Sequence, residues 1–437
     1  MMAPASRPMI LVGALQGVVL WVLWQANKDL FWPATEPMAM GILLWTAVAT
    51  PAAYYLTENA GLAWPRRAKL LALVAIAYAL LGGYTGWIGS PLDDADRTRR
   101  LLGSSNAFAS IVAAGVMGFI LLPLVSGWRR TERRFDYPQL FQLAWRNALL
   151  TASVAAVTGI FWAVLFAGAM LMKSIGIRFV MELIDDPIFA FPVTGMVVGG
   201  AFAVGHVRAE LLVNLRRYWL ALNTWLLPLL LAFGVLWVVF LPFTGLEPLF
   251  ATRNAAFTLL WFGALAVLFL NCAWQDGIDA PLYPQWLQKL LATAWFTLLF
   301  VTGIAGWALW QRISQHGLTA DRVWAVFVWL MAAGYALGYS LSLFPSWWRE
   351  TWRVRLGTRW MATVGATNVV MAFVALLCLA LLTSPVLDPR RLGVNAQMFR
   401  PLGRARAPQA GTGEGWRAWP EDRRVRAARA QQETSLE

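Results

Sequence analysis

Apolar residues run through this chain in stretches of about twenty, and the charged residues gather in the short loops between them. A helix of about twenty apolar residues crosses the roughly 30 Å hydrocarbon core of a bilayer. In hydrocarbon every backbone N–H and C=O has to bond within its own segment, so the pattern predicts membrane-spanning helices. Spans are expected at 9–24, 37–57, 70–89, 105–127, 147–171, 188–207, 218–240, 255–272, 290–310, 323–344 and 361–383. The predicted fold class is all-α, a polytopic transmembrane helical bundle of about eleven spans. Residues 9–383 form the expected helical domain. Residues 384–437 carry Arg, Ala, Gly and Pro without apolar periodicity and read as a basic, disordered tail that insertion does not need. Pro51, Pro123, Pro192 and Pro228 fall inside spans, where they are expected to kink helices rather than end them.

Composition agrees. The 437 residues are 59% hydrophobic and 14% charged, against about 25% charged in soluble domains. Twenty-six Trp suit the headgroup level, where the ring stays apolar and the indole N–H stays wet. Many sit at predicted span ends, among them Trp21, Trp24, Trp32, Trp128, Trp145, Trp347, Trp348 and Trp360. The net charge of +13 is spread over loops, which argues against a nucleic-acid partner. The first apolar run, Met9 to Trp24, lacks a small-residue cleavage site and reads as an uncleaved span. The N-terminus and even-numbered loops hold seventeen Lys and Arg, the odd-numbered loops nine. The positive-inside rule thus predicts a cytoplasmic N-terminus. Eleven spans then put the tail on the far side, despite ten Arg in 389–437.

With these boundaries no Asp, Glu, Lys or Arg lies inside a span, which disfavours proton relays, ion-coupled sites and voltage sensors. Two separated histidines, His206 and His316, and two lone cysteines, Cys272 and Cys378, predict no metal site. No HExxH, GxSxG, Walker-type or GxGxxG pattern occurs in a suitable context, so no catalytic residue and no cofactor is assigned. Uncharged polar residues inside spans carry more information. Gln16, Asn223, Thr224, Asn271 and Asn368 are costly against lipid and are expected to face other helices or a polar cavity. The spacings Gly195/Gly199 and Gly334/Gly338 permit close helix approach.

Two basic, Trp-bearing loops, 128–147 and 345–360, suit anionic lipid headgroups. Two polar clusters lie near span ends. One is Asn271, Gln275 and Asp276; the other is Arg312, His316, Gly317, Thr319, Asp321 and Arg322. In the second, Gly317 makes the turn, Thr319 caps the next span and Asp321 complements its dipole; the competing role is anion binding by the cations. Asp93, Asp94 and Asp96 offer a divalent cation a site, although Arg97, Arg99 and Arg100 adjoin them.

The runs RISQHGLTADRVWA, NCAWQDG, LPFTGLEPL and FQLAWRNALL resemble the bacterial inner-membrane family called domain of unknown function 4153, over roughly residues 9–397. The resemblance implies a polytopic inner-membrane protein and transfers no site residue, because the family carries no assigned activity. Its members usually continue past the last span with an ordered region. Here the pattern gives way after Gln397 to PLGRARAPQAGTGEGW, from Pro401, which implies truncation or a change of reading frame. Three functions stay open: transport of a neutral or lipidic solute or support of an envelope process, a membrane scaffold, and an enzyme acting on lipid headgroups. A cavity lined by Gln16, Asn223 and Asn271 would favour transport; a solid bundle would favour scaffolding.

Overall fold

The computed structural model describes residues 6–58, 62–88, 105–129, 134–252, 254–277, 283–343 and 363–389. The acidic loop at 93–96, the Trp-rich loop at 345–360, the His316 side chain and the tail from residue 390 lie outside the described residues.

Four helices come first: α1 (Ser6–Asp29), α2 (Pro37–Thr57), α3 (Trp64–Ile88) and α4 (Ser105–Ser126). Two-residue strands β1 (Trp128–Arg129) and β2 (Arg134–Phe135) pair antiparallel at the next turn. Then follow α5 (Tyr137–Ser174), α6 (Phe179–Asp185), α7 (Pro187–Val207), α8 (Ala209–Thr244) and α9 (Glu247–Ala251). The chain continues with α10 (Ala255–Trp274), α11 (Gln285–Ala294), α12 (Thr297–His316), α13 (Ala320–Leu343) and α14 (Val364–Leu382). Among the described residues ten helical stretches are long and apolar enough to cross a membrane, α11 and α12 counting as one; a shorter apolar helix, Ile111–Ser126, lies within α4. These match the predicted spans one to one. The protein is an all-α, multi-pass integral membrane protein.

Pro51, Pro123, Pro192 and Pro228 all lie within helices, as expected. Three helices, α3, α5 and α8, begin well before the residues that hydropathy alone suggests. Pro138 sits in the first turn of α5, where its missing N–H costs nothing. So the segment 128–147, read from the sequence as a surface loop, is helical from Tyr137 onward. At 38 residues, α5 is about 57 Å long and outruns the hydrocarbon core.

Glycines set the closest helix contacts. A Cβ on Gly13 of α1 or Gly195 of α7 would collide with the other's carbonyl, and one on Gly199 with the Met9 carbonyl. Gly41 of α2 and Gly82 of α3 meet in the same way. Gly338 and Gly334 of α13 instead admit Thr367 and Met371 of α14. Away from these pairs the largest core surrounds the fully buried Trp295 and Tyr339, with Leu227, Leu231 and Leu298 packed on them. Residues 384–389, assigned by the sequence to the tail, are partly packed in: Asp388 is buried and accepts a bond from the Tyr84 hydroxyl at 3.0 Å.

Candidate functional site

Asn271 and Asn368 come together, 97 residues apart in sequence. Asn271 stands one turn before the end of α10 and Asn368 one turn after the start of α14. Asn368 donates through Nδ2 to Asn271 Oδ1 at 2.6 Å and to the Tyr137 hydroxyl at 2.6 Å. Asn271 donates through Nδ2 to the Tyr339 hydroxyl and to the Val267 carbonyl, both at 2.8 Å. Tyr339 closes the ring by donating to Asn368 Oδ1. Three helices thus share one cyclic set of side-chain bonds, and α5 joins through Tyr137. The Tyr137 hydroxyl also makes a long contact, 3.5 Å, with the Gln275 carbonyl. Polar side chains in lipid need such partners, and a ring that uses every amide N–H satisfies them.

Beside the ring lies an open cavity of about 270 Å³. Tyr137, Asn271, Tyr335 and Asn368 form its polar wall, and Phe119, Leu140, Phe141, Trp145 and Val369 are among its apolar lining. None of the lining residues carries a charge. All five contributing helices present residues near the same end of the bundle: Tyr137 opens α5, Asn271 and Asn368 lie about one turn inside their helix ends, and Tyr335 lies about two turns inside α13.

Gln16 and Asn223 do not join this cavity, so the three amides whose common cavity would have favoured transport do not line one together. Gln16 donates to the Ala47 carbonyl at 3.1 Å and lines a separate cleft of about 350 Å³ between α1 and α7. Asn223 bonds the Trp219 carbonyl of its own helix at 2.8 Å. Thr224 bonds the Cys272 carbonyl at 3.0 Å, tying α8 to α10. Its own carbonyl accepts from the Tyr283 hydroxyl, whose pKa burial raises.

Of the first polar cluster, Asn271 forms part of the ring. Gln275 ends α10 in a left-handed conformation, φ 51°, with its N–H on the Asn271 carbonyl at 3.0 Å. Asp276 follows in the turn. The second cluster lies at the opposite end of α13, about 30 Å along the helix from Tyr339. Gly317 makes the turn at φ 76° and its N–H bonds the Ile313 carbonyl at 2.8 Å. Thr319 occupies the position before α13, its carbonyl accepting from the Arg322 and Val323 N–H groups. Asp321 lies in the first turn of α13. The Arg322 guanidinium donates to the Gly317 carbonyl, and Arg312 is exposed in the last turn of α12. The two clusters form no common site.

The sequence also missed two inward-facing cations, Arg67 and Arg146, which join His206 around the end of α2. The final carbonyls of α2 lack the regular N–H partner four residues on within the helix. Each is met from a different element: Tyr54 O by Arg67 at 2.7 Å, Tyr55 O by His206 Nε2 at 2.8 Å, Leu56 O by Arg146 at 3.1 Å. Arg67, 7% exposed, also pairs with Glu58 and lies 4.4 Å over the Tyr54 ring. Positive charge at a helix C-terminus complements the dipole. The expectation that no cation enters a span fails here, because α3 and α5 extend past the hydropathy limits and turn Arg67 and Arg146 inward.

Tyr137, Tyr335 and Tyr339 had no place among the sequence candidates. The available signal was their spacing: Tyr335 and Tyr339 fall four apart on one face of an apolar helix. Compared with protein-family models, with curated proteins and with solved structures, the chain gives no match.

Proposed function

We propose that this integral membrane protein binds a neutral or lipidic solute in the cavity beside the Asn271–Tyr339–Asn368 ring and carries it between the bilayer and the adjoining end of the bundle. The observation behind this reading is the wall itself. An apolar surface meets an uncharged polar patch near the helix ends, which is the division of chemistry within a neutral amphiphile. Desolvating an ion against such a wall is costly, because no lining residue carries the opposite charge.

The scaffold reading has less support. The Gly195/Gly199 and Gly334/Gly338 faces, which a scaffold would offer to partners, are covered by α1 and α14 of the same chain. Orientation belongs to the proposal too: the N-terminus in the cytoplasm, supported by the seventeen-to-nine charge asymmetry, in a bacterial inner membrane, which the family resemblance implies. Anionic headgroups then meet the basic loops at 128–136 and 345–360. Membership in the domain of unknown function 4153 family rests on the quoted runs, two of which, FQLAWRNALL and NCAWQDG, supply residues to the cavity.

Transfer of a fluorescent neutral lipid between proteoliposomes tests the function. Ala144→Trp fills the cavity from α5, and transfer should fall about tenfold at equal protein content. Unchanged transfer by a folded Ala144→Trp protein would overturn the proposal.

A further inference from the structure

We infer that the head of the solute is a hydroxyl on an apolar chain, the chemistry of long-chain alcohols and diacylglycerols. This rests on the reading of the cavity as the solute site and follows from counting its hydrogen-bond capacity. Both N–H bonds of Asn271 and both of Asn368 are engaged within the protein. The Tyr339 proton is engaged on Asn368 Oδ1. Flipping the Asn368 amide would set its oxygen against Asn271 Oδ1 at 2.6 Å, two acceptors face to face, so the ring fixes which atoms remain. What remains on the polar wall is oxygen: second lone pairs on Asn271 Oδ1, Asn368 Oδ1 and the Tyr137 hydroxyl.

Two neutral donors accompany them. The Tyr335 ring packs 5.4 Å from Tyr339, and its hydroxyl has no hydrogen-bond partner among the described residues. Trp145, also in the lining, is the other residue there with a neutral N–H to donate. A carboxylate or phosphate accepts about four or more bonds and donates none when ionised, so an acceptor-rich wall without a cation repels it. A hydroxyl donates one bond and accepts up to two, which matches an Asn oxygen on one side and the Tyr335 hydroxyl on the other. The cavity of about 270 Å³ lies just below the usual range for small-molecule sites. It holds a head and its first carbons, and the rest of a long chain extends beyond it.

The test uses the purified full chain in phosphatidylcholine nanodiscs with four photoactivatable probes of equal chain length. These are a single-chain alcohol, a diacylglycerol, a fatty acid and an alkyl phosphate, compared at neutral pH. One or both hydroxyl probes should label residues 119–124 or 137–145 about tenfold more than the acid and phosphate. Which of the two dominates identifies the source of the hydroxyl. Tyr335→Phe, which keeps the ring packing, should lower labelling by the alcohol about fivefold with an unchanged unfolding temperature. Equal or stronger labelling by the acid or phosphate, or no effect of Tyr335→Phe, overturns the hydroxyl assignment and leaves the cavity as a site. Absence of labelling there by all four probes overturns the cavity reading as well.

Discussion

Asn368 and Asn223 are the same residue type in the same kind of helix, yet their surroundings give them different weights. Asn368 bonds three side chains from three other helices, whereas Asn223 reaches only the Trp219 carbonyl one turn back. Asn368→Leu leaves the Tyr339 hydroxyl without its acceptor and Asn271 Oδ1 without its donor. The cost of such stranded groups is about 1–3 kcal/mol. Asn223→Leu removes one local bond from a carbonyl that still takes part in its helix, at a cost of about 0.5 kcal/mol. Thermal unfolding in detergent should therefore show a clear drop for Asn368→Leu and little change for Asn223→Leu; equal shifts would show that the ring contributes nothing special. Arg67 makes the same point for charge. Its neighbours in sequence, Arg66 and Lys69, look equivalent, but only Arg67 is buried against Glu58 and the end of α2.

At the scale of elements, the close pairs α1–α7 and α2–α3 depend on backbone meeting backbone. Gly13→Val would drive a branched side chain into the Gly195 carbonyl, where no flexible side chain can give way. Folded yield should collapse. Gly159→Ala in α5 is the matched control, since a Cβ there meets nothing within 4 Å. Alanine is the better helix former by about 1 kcal/mol, so that variant should be neutral or slightly stabilised. Size-exclusion profiles of the two variants at equal expression check both outcomes. A well-folded Gly13→Val protein would mean that the pair is not held at contact distance.

For the whole molecule, the asymmetry of charge predicts which end faces the cytoplasm. With Cys272 and Cys378 replaced by Ser, Ala63→Cys and Ile177→Cys report on opposite ends of the bundle. A membrane-impermeant maleimide added to intact cells should label Ile177→Cys and spare Ala63→Cys until the membrane is opened. The reverse pattern would invert the topology and place the cavity's polar wall at the outer surface.

How much the sequence conveyed differs with the scale of the question. Span number and helical class follow from runs of apolar residues, because the bilayer imposes one length and one way of satisfying the backbone. The choice of Asn271 and Asn368 was legible too, since a polar amide amid apolar residues requires a partner. Their meeting was not, nor was the separation of Gln16 and Asn223 from them. A span's hydropathy is nearly blind to its rotation, and rotation decides which helix each amide faces. The start of α5 at Tyr137 was hidden for a related reason: charges at 129–136 made the whole segment look like loop, while the helix needed only Pro138 and the apolar positions after it. Arg67 and Arg146 point the same way. Apolar runs determined that this chain is built of ten or eleven membrane-length helices, and only tertiary packing decided which cations turn inward, because the carbonyls left open at the end of α2 meet Arg67 and Arg146 only when α3 and α5 pack around them.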